Sequence, residues 1–170
     1  LKALFPDWPG SDARISSLTL DSRQAGPGAL FIALPGTRQD GRAHIAAAIA
    51  AGAAAVAYES ADGYQPALDQ QAALPLLPVA SLQQQVSALA ARFYAQPGLA
   101  PGVIGITGTN GKTSVSQMLA QALNALGQAC GVIGTLGSGM PGQLQAHGMT
   151  TPDAIALQQH LAARGGHGAC

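Results

Sequence analysis

The stretch Gly105-Ile-Thr-Gly-Thr-Asn-Gly-Lys-Thr113 sets closely spaced glycines beside a lysine and several hydroxyls. Glycines at 108 and 111 leave no Cβ to keep backbone N–H groups from converging on an anion. Lys112 can reach the β- and γ-phosphates of a nucleotide, and the Thr113 hydroxyl can ligate Mg2+. The chemistry is therefore phosphate binding. The spacing departs from the common phosphate loop in one respect. The first glycine of that pattern would fall at Ile106; here Gly105 comes one residue earlier and Gly108 supplies the flexibility.

Such a loop needs a strand before it and a helix after it. Residues 103–106 are a short apolar run of β type, and residues 113–126 carry a helical pattern. Val115, Met118, Leu119, Ala122 and Leu126 form its apolar stripe, expected in the core, with Gly127 as its cap. The helix adds its unpaired N–H groups and the positive end of its dipole to the anion site. Residues 129–134 read as the next strand, with Cys130 as a small buried residue in it. The β-α-β order predicts a right-handed crossover and a parallel sheet.

Residues 135–149 read as a long glycine-rich loop, either disordered or able to close over a ligand. Thr150-Thr-Pro-Asp153 then opens a last helix, to about Arg164. Thr151 is its expected N-cap, Pro152 its first helical residue, and Asp153 sits near the positive dipole end.

Upstream, strands are expected at residues 16–21, 29–34, 54–58 and 76–79, with helices at 44–51 and 81–94. Gly52 should cap the first helix and Ser81 should be the N-cap of the second. Residues 60–74 are polar and irregular. The alternation argues for a small α/β domain. Two prolines and two glycines in Gln96-Pro-Gly-Leu-Ala-Pro-Gly102 mark a linker. The expected organisation is a domain over residues 1–96 and a second over residues 102–170.

Charged residues are 9% of the 170-residue chain and the net formal charge is zero, against ~25% charged in typical soluble proteins. No basic patch suggests nucleic acid, and no stretch approaches the ~18 apolar residues of a membrane span. The two cysteines, Cys130 and Cys170, have no metal or redox spacing, and a reduced, cytoplasmic protein is expected. There is no initiator methionine, and Gly165-Gly-His-Gly-Ala-Cys170 leads toward a further strand, so a piece of a longer protein is expected.

Together the motifs resemble the Mur ligases, ATP-dependent enzymes that build the peptide stem of peptidoglycan. The marks are Leu18-Thr-Leu-Asp-Ser-Arg23, Pro27-Gly-Ala-Leu-Phe-Ile-Ala-Leu-Pro-Gly36, Asp40-Gly41, Gly52-Ala-Ala-Ala-Val56 and the glycine-rich stretch itself. Thr150-Thr-Pro-Asp153 looks most like the member that joins a diamino acid to UDP-N-acetylmuramoyl-L-alanyl-D-glutamate. The implied fold is α/β: a small N-terminal α/β domain, then the start of a truncated parallel-sheet P-loop ATPase domain. The resemblance implies that the first domain binds the UDP-substrate, through Leu20, Ser22, Thr37, Arg38 and Gln39. It implies that Gly108, Thr109, Asn110, Gly111, Lys112, Thr113 and Ser114 hold ATP, and that Thr150 and Thr151 meet the muramoyl-peptide. Lys112 is the catalytic candidate and Thr113 the Mg2+ ligand. An acidic Mg2+ ligand, a carbamylated lysine and an arginine for the amino acid would lie beyond Cys170, so these residues alone should not ligate.

The implied chemistry runs through an acyl phosphate, and the incoming amino acid is meso-diaminopimelate or L-lysine. Alternatives are another Mur ligase, such as the one adding D-alanyl-D-alanine, and a P-loop nucleotide switch that joins nothing. Asp21 and Arg23 can also be read as a strand cap that pairs internally. Arg38 and Arg42 read as solvated, with a role near diphosphate plausible for Arg38. His44, His147, His160 and His167 have no metal spacing, and His160 falls on a polar helix face.

Overall fold

The computed structural model describes residues 1–36, 39–67, 74–94, 102–145 and 153–163. It divides into two compact units, Leu1–Phe93 and Tyr94–Cys170. Of the expected linker, only Gly102 is among the described residues.

The first unit is built on a four-stranded parallel sheet in the order β1-β2-β3-β4. The strands are β1 (Ser17–Thr19), β2 (Ala29–Ala33), β3 (Ala55–Glu59) and β4 (Leu76–Val79). Phe31 lies opposite Val56, and Ala33 opposite Tyr58. These four share a sheet face and pack with Ala25, Ile45, Ala48 and Ala53. Leu30, Ile32, Ala55 and Ala57 alternate onto the other face and are also buried. A parallel sheet covered on both faces reads as continuous apolar runs, as β2 does.

The helix expected at 44–51 begins as a 3-10 turn, Gly41–His44, and continues as α1, Ile45–Ala50. Asp40 caps the turn, its Oδ1 accepting from the Arg42 N–H at 2.9 Å. Gly52, at φ 94°, closes α1 with paired bonds from Gly52 N–H to Ile49 O and from Ala53 N–H to Ala48 O.

Helix α2, Leu82–Tyr94, buries Leu82, Val86, Leu89 and Ala90 on one stripe. Its cap is not the expected Ser81. Ser81 has a φ of 57°, outside the extended region an N-cap side chain needs to reach back. The Glu59 carboxylate, at the end of β3, accepts instead from Ser81 N–H (2.8 Å) and Gln83 N–H (3.2 Å).

Pro78 pairs with Tyr58 on the outermost strand, β4. The carbonyls of Pro75 and Val79 accept from Val56 and Ser60 N–H groups of the β3 segment. By period-two alternation, the backbone of Pro78 faces away from the sheet.

The second unit departs further from expectation. Helix α3, Lys112–Ala125, starts one residue earlier than the pattern implied. Residues 103–106 form no strand. A strand is completed by its neighbours, and no described strand lies alongside this run. The expected parallel crossover is thus absent among the described residues. Instead β5 (Val132–Gly134), β6 (Gly137–Met140) and β7 (Gln143–Gln145) form an antiparallel sheet.

Residues 135–145 are therefore a meander and not a loop, with two-residue turns at Thr135–Leu136 and Pro141–Gly142. Gly142, at φ 84°, suits the second position of a Pro-Gly turn. A Cβ on Gly139 would meet the Gln143 carbonyl and, at 2.9 Å, the Leu144 Cα, so the glycines serve close strand approach. Residues 146–149 lie outside the described residues.

The apolar stripe of α3 is not core. Val115, Met118 and Leu126 are exposed, at 51%, 69% and 77%. The buried contact runs through Ala120, against Cys130 and Val132, with Leu123 beside it. Cys130 precedes β5 and is buried, as expected; Cys170 lies outside the described residues. Helix α4, Ala154–Ala163, closes the described chain. Asp153 is its N-cap, with Oδ1 accepting from Ile155 N–H (2.9 Å) and Ala156 N–H (2.8 Å). Thr151, expected there, lies outside the described residues.

Candidate functional site: a phosphate loop and a sheet edge

The loop before α3 has the conformation its glycines permit. Gly108 has a φ of 143° and Gly111 a φ of 80°, both reserved for glycine. Gly111 is the N-cap of α3, and no side chain caps that helix. The contrast with the other N-termini is informative. Asp21, Asp40 and Asp153 each place a carboxylate on the first N–H groups of the element they precede, and Glu59 reaches those of α2 from the end of β3. The 14-residue α3 has no such side-chain partner on its first N–H groups, the end of a helix that favours an anion.

Lys112 is exposed, and its Nζ donates to the carbonyls of Gly108 and Thr109, the latter at 3.3 Å. The ammonium is folded back over its own loop. Thr113 follows in the first turn, half-buried, and its carbonyl accepts from the Ser116 hydroxyl at 2.9 Å. Lys112 and Thr113 open on a cavity of about 460 Å³, also lined by Ile104, Ile106, Ile133 and Leu157. The loop residues Gly108, Thr109, Asn110, Gly111 and Ser114 are exposed. Helix N–H groups without a side-chain cap, a lysine and a hydroxyl beside a cavity are a donor set suited to a phosphate chain and a hard cation.

The first unit offers a second locus. In a parallel sheet all strand C-termini reach one edge, where open α/β sheets bind ligands. Leu20 and Ser22 follow β1 there, half-buried, and Gln39 follows β2, exposed. Thr37, Arg38, Thr150 and Thr151 lie outside the described residues.

Asp21 and Arg23 behave as a capping pair. The Asp21 carboxylate accepts from Arg23 N–H (3.0 Å), Nε (2.9 Å) and Nη2 (2.6 Å), while Arg23 stays exposed. The guanidinium hydrogen bonds hold the Asp21 carboxyl below its usual range. His160 is half-buried, not on a solvated polar face, and its Nδ1 lies 3.3 Å from the Ser138 hydroxyl.

Arg42 is buried, against the expectation of a solvated side chain. Its Nε and Nη2 donate to Asp40 at 3.0 and 2.8 Å, and its Nη1 to both Asp62 oxygens at 2.7 and 2.8 Å. Nη1 also lies 3.3 Å from the Glu59 carbonyl, and the guanidinium carbon sits 4.3 Å from the Tyr64 ring centroid. Hydrogen bonds from Arg42 lower the Asp40 and Asp62 carboxyls, and those carboxylates raise the guanidinium further. Sequence patterning gave Asp62 and Tyr64 no role, because they sit in an aperiodic segment. The one local signal was Asp40 two residues before Arg42. Among the described residues no group of three or more His, Cys, Asp or Glu could hold a metal. No helix is long and apolar enough to cross a membrane among the described residues.

Comparison with known proteins agrees with this layout. The family model described as "Mur ligase family, catalytic domain" matches residues 14–94, and "Mur ligase middle domain" matches residues 106–168. The chain is 56% identical over 152 residues to the UDP-N-acetylmuramoyl-L-alanyl-D-glutamate--2,6-diaminopimelate ligase of Ectopseudomonas mendocina, spanning 89% of this chain and 31% of the relative. The protein of the same name in Pseudomonas aeruginosa is 55% identical over 163 residues, spanning 95% of this chain and 32% of the relative. A solved structure of an enzyme with that name superposes with a TM-score of 0.80 at 29% identity, covering 99% of this chain and 34% of that one. A MurF structure from Acinetobacter baumannii, at 24% identity and a TM-score of 0.59, covers 91% of this chain and 29% of that one, and shares the fold. The chain spans about a third of the length of the curated relatives it matches.

Proposed function

Because the chain belongs to the Mur ligase family, we propose that the full-length protein is an ATP-dependent ligase of peptidoglycan precursor synthesis. It joins 2,6-diaminopimelate to UDP-N-acetylmuramoyl-L-alanyl-D-glutamate. The observation that carries this reading is identity of 50–56% along most of the chain to ligases of that name. The choice of diaminopimelate over lysine rests on the same relatives. The D-alanyl-D-alanine-adding alternative has only a likeness of fold behind it.

A carboxylate is a poor acyl donor. In the proposed reaction a D-glutamyl carboxylate oxygen attacks the γ-phosphorus of ATP, ADP leaves, and an acyl phosphate forms. The amine of the diamino acid then attacks the acyl carbon, loses its proton and expels phosphate. Transfer of this kind depends on positioning and on stabilising charge. The open N-terminus of α3 and the backbone of residues 108–111 bind and orient the phosphates. Lys112 exchanges its contacts with its own loop for the outer phosphates. Thr113 fits a Mg2+ site, since its hydroxyl is a hard oxygen donor at the cavity mouth; bound Mg2+ supplies charge neutralisation on the phosphates. Leu20, Ser22, Thr37, Arg38, Gln39, Thr150 and Thr151 take the UDP-muramoyl substrate in this reading. The nucleotide substrates imply work in the cytoplasm.

The test is to incubate full-length protein with UDP-N-acetylmuramoyl-dipeptide, ATP, Mg2+ and either meso-diaminopimelate or L-lysine. The UDP-linked tripeptide should form with diaminopimelate, with one ADP released per amide. ATP hydrolysis without amide formation would leave only the nucleotide-switch reading, and preference for lysine would correct the amino acid.

A further inference from the structure

We propose that Arg42 is a positioning residue for the UDP-substrate: clamped between Asp40 and Asp62, it holds the turn that carries Gln39. The proposal rests on the ligase reading above. It goes beyond that reading because Arg42 itself is buried and acts through the turn.

Among the described residues, backbone bonds tie the base of the turn after β2. Gly41 N–H donates to Leu34 O at 2.8 Å, Gly36 N–H donates to Gln39 O at 3.1 Å, and Pro35 and Asp40 form an isolated bridge. The backbone approach there is close. A Cβ on Gly41 would lie 2.8 Å from the Leu34 carbonyl, so the base of the turn tolerates no side chain there without a shift. None of these bonds reaches β3, so they do not by themselves set the angle of the turn to the sheet edge.

Arg42 supplies that constraint. One side of its fork holds Asp40, the last residue of the turn, while Nη1 holds Asp62, beyond the end of β3. The Tyr64 ring lies against the guanidinium, and the Tyr64 hydroxyl donates to the Arg42 carbonyl at 3.2 Å. A planar fork with carboxylates on two edges and a ring on its face cannot rotate. An ammonium would keep the charge but lose the fixed angle. Tyr64 also packs against the sheet core of Phe31, Val56 and Ile45, but changes at Arg42 or Asp62 leave that ring in the chain, so weakening the fork should free the turn before it unfolds the sheet.

The test uses full-length enzyme and varies each substrate in turn. Arg42→Lys should raise the KM for UDP-N-acetylmuramoyl-dipeptide about tenfold, as a misplaced contact would. The kcat and the KM for ATP should stay within about twofold of wild type. Asp62→Asn, which cuts the same link from the other side, should raise the same KM. The double variant should be no worse than Arg42→Lys alone, since both remove one linkage. An unchanged KM for the UDP-substrate in both variants overturns the proposal. So does a fall in kcat with KM intact, the mark of a purely structural residue. Should Arg42→Lys fail to fold, Asp62→Asn decides the matter by the same readout. A wild-type enzyme that makes no tripeptide is a different result: it removes the ligase reading and this role with it.

Discussion

Among the described residues Lys112 is held only by carbonyls of its own loop, and its side chain is exposed. Removing it should therefore spare the fold and strike the chemistry. In the full-length enzyme, Lys112→Ala should lower ATP-dependent ligation by about a hundredfold or more. Its unfolding free energy should move by less than about 0.5 kcal/mol. Turnover near wild type, measured as ADP release, would remove Lys112 from the phosphate site. Residues of this loop were legible because their constraint is local: left-handed φ values at Gly108 and Gly111 require glycine whatever surrounds them. Arg42 was not legible. Its second partner, Asp62, is twenty residues away, and only the pairing of β2 with β3 brings the two together.

Capping explains most of the shifts at the level of elements. Glu59 took the role assigned to Ser81, and Asp153 caps α4, because any carboxylate that reaches the first N–H groups can fill an N-cap. For Glu59 that reach comes from sheet register, which no local pattern reveals. Burial pushes the Glu59 carboxyl up, but N–H groups of Gln83, Ala61, Ser81 and Leu82 outweigh it and leave the pKa below the ordinary 4.5. A lowered folded-state pKa contributes stability that is present above 4.5 and is lost as pH falls through the folded value. Glu59→Gln should cost about 1 kcal/mol at neutral pH and flatten that acid limb. Urea unfolding at pH 7 and pH 3 checks both; a variant with the wild-type acid profile would show that Glu59 is not the cap. The helices were otherwise readable to within a residue or two, since their signals are periodic and short in range. Residues 103–106 were read as a strand from apolarity alone, and apolarity does not supply a neighbour.

The two units differ in how much apolar surface they put away, and their stability should differ accordingly. The exposed large apolar residues Val103, Ile104, Val115, Met118, Leu126 and Leu136 all belong to the second unit. Phe31, Leu30, Ile32 and Val56 of the first are fully buried. Phe31→Ala should cost about 3–5 kcal/mol, whereas Met118→Ala should cost almost nothing in this chain. Amide hydrogen exchange on the 170-residue chain should find α2 more protected than α3; equal protection would contradict the assignment. The first unit was legible as α/β because buried parallel strands advertise themselves as apolar runs between helices. The second was less so, because glycines that allow strands to touch look the same in sequence as glycines that loosen a loop. One detail of the first unit bears on the behaviour of many copies together. The outward-facing backbone of Pro78 carries no N–H, so the rim of the sheet lacks one of the donors another strand would need to extend it. A proline there works as a gatekeeper against edge-on stacking of sheets between chains, a hazard that grows with concentration and is felt most while a nascent polypeptide awaits its remaining partners.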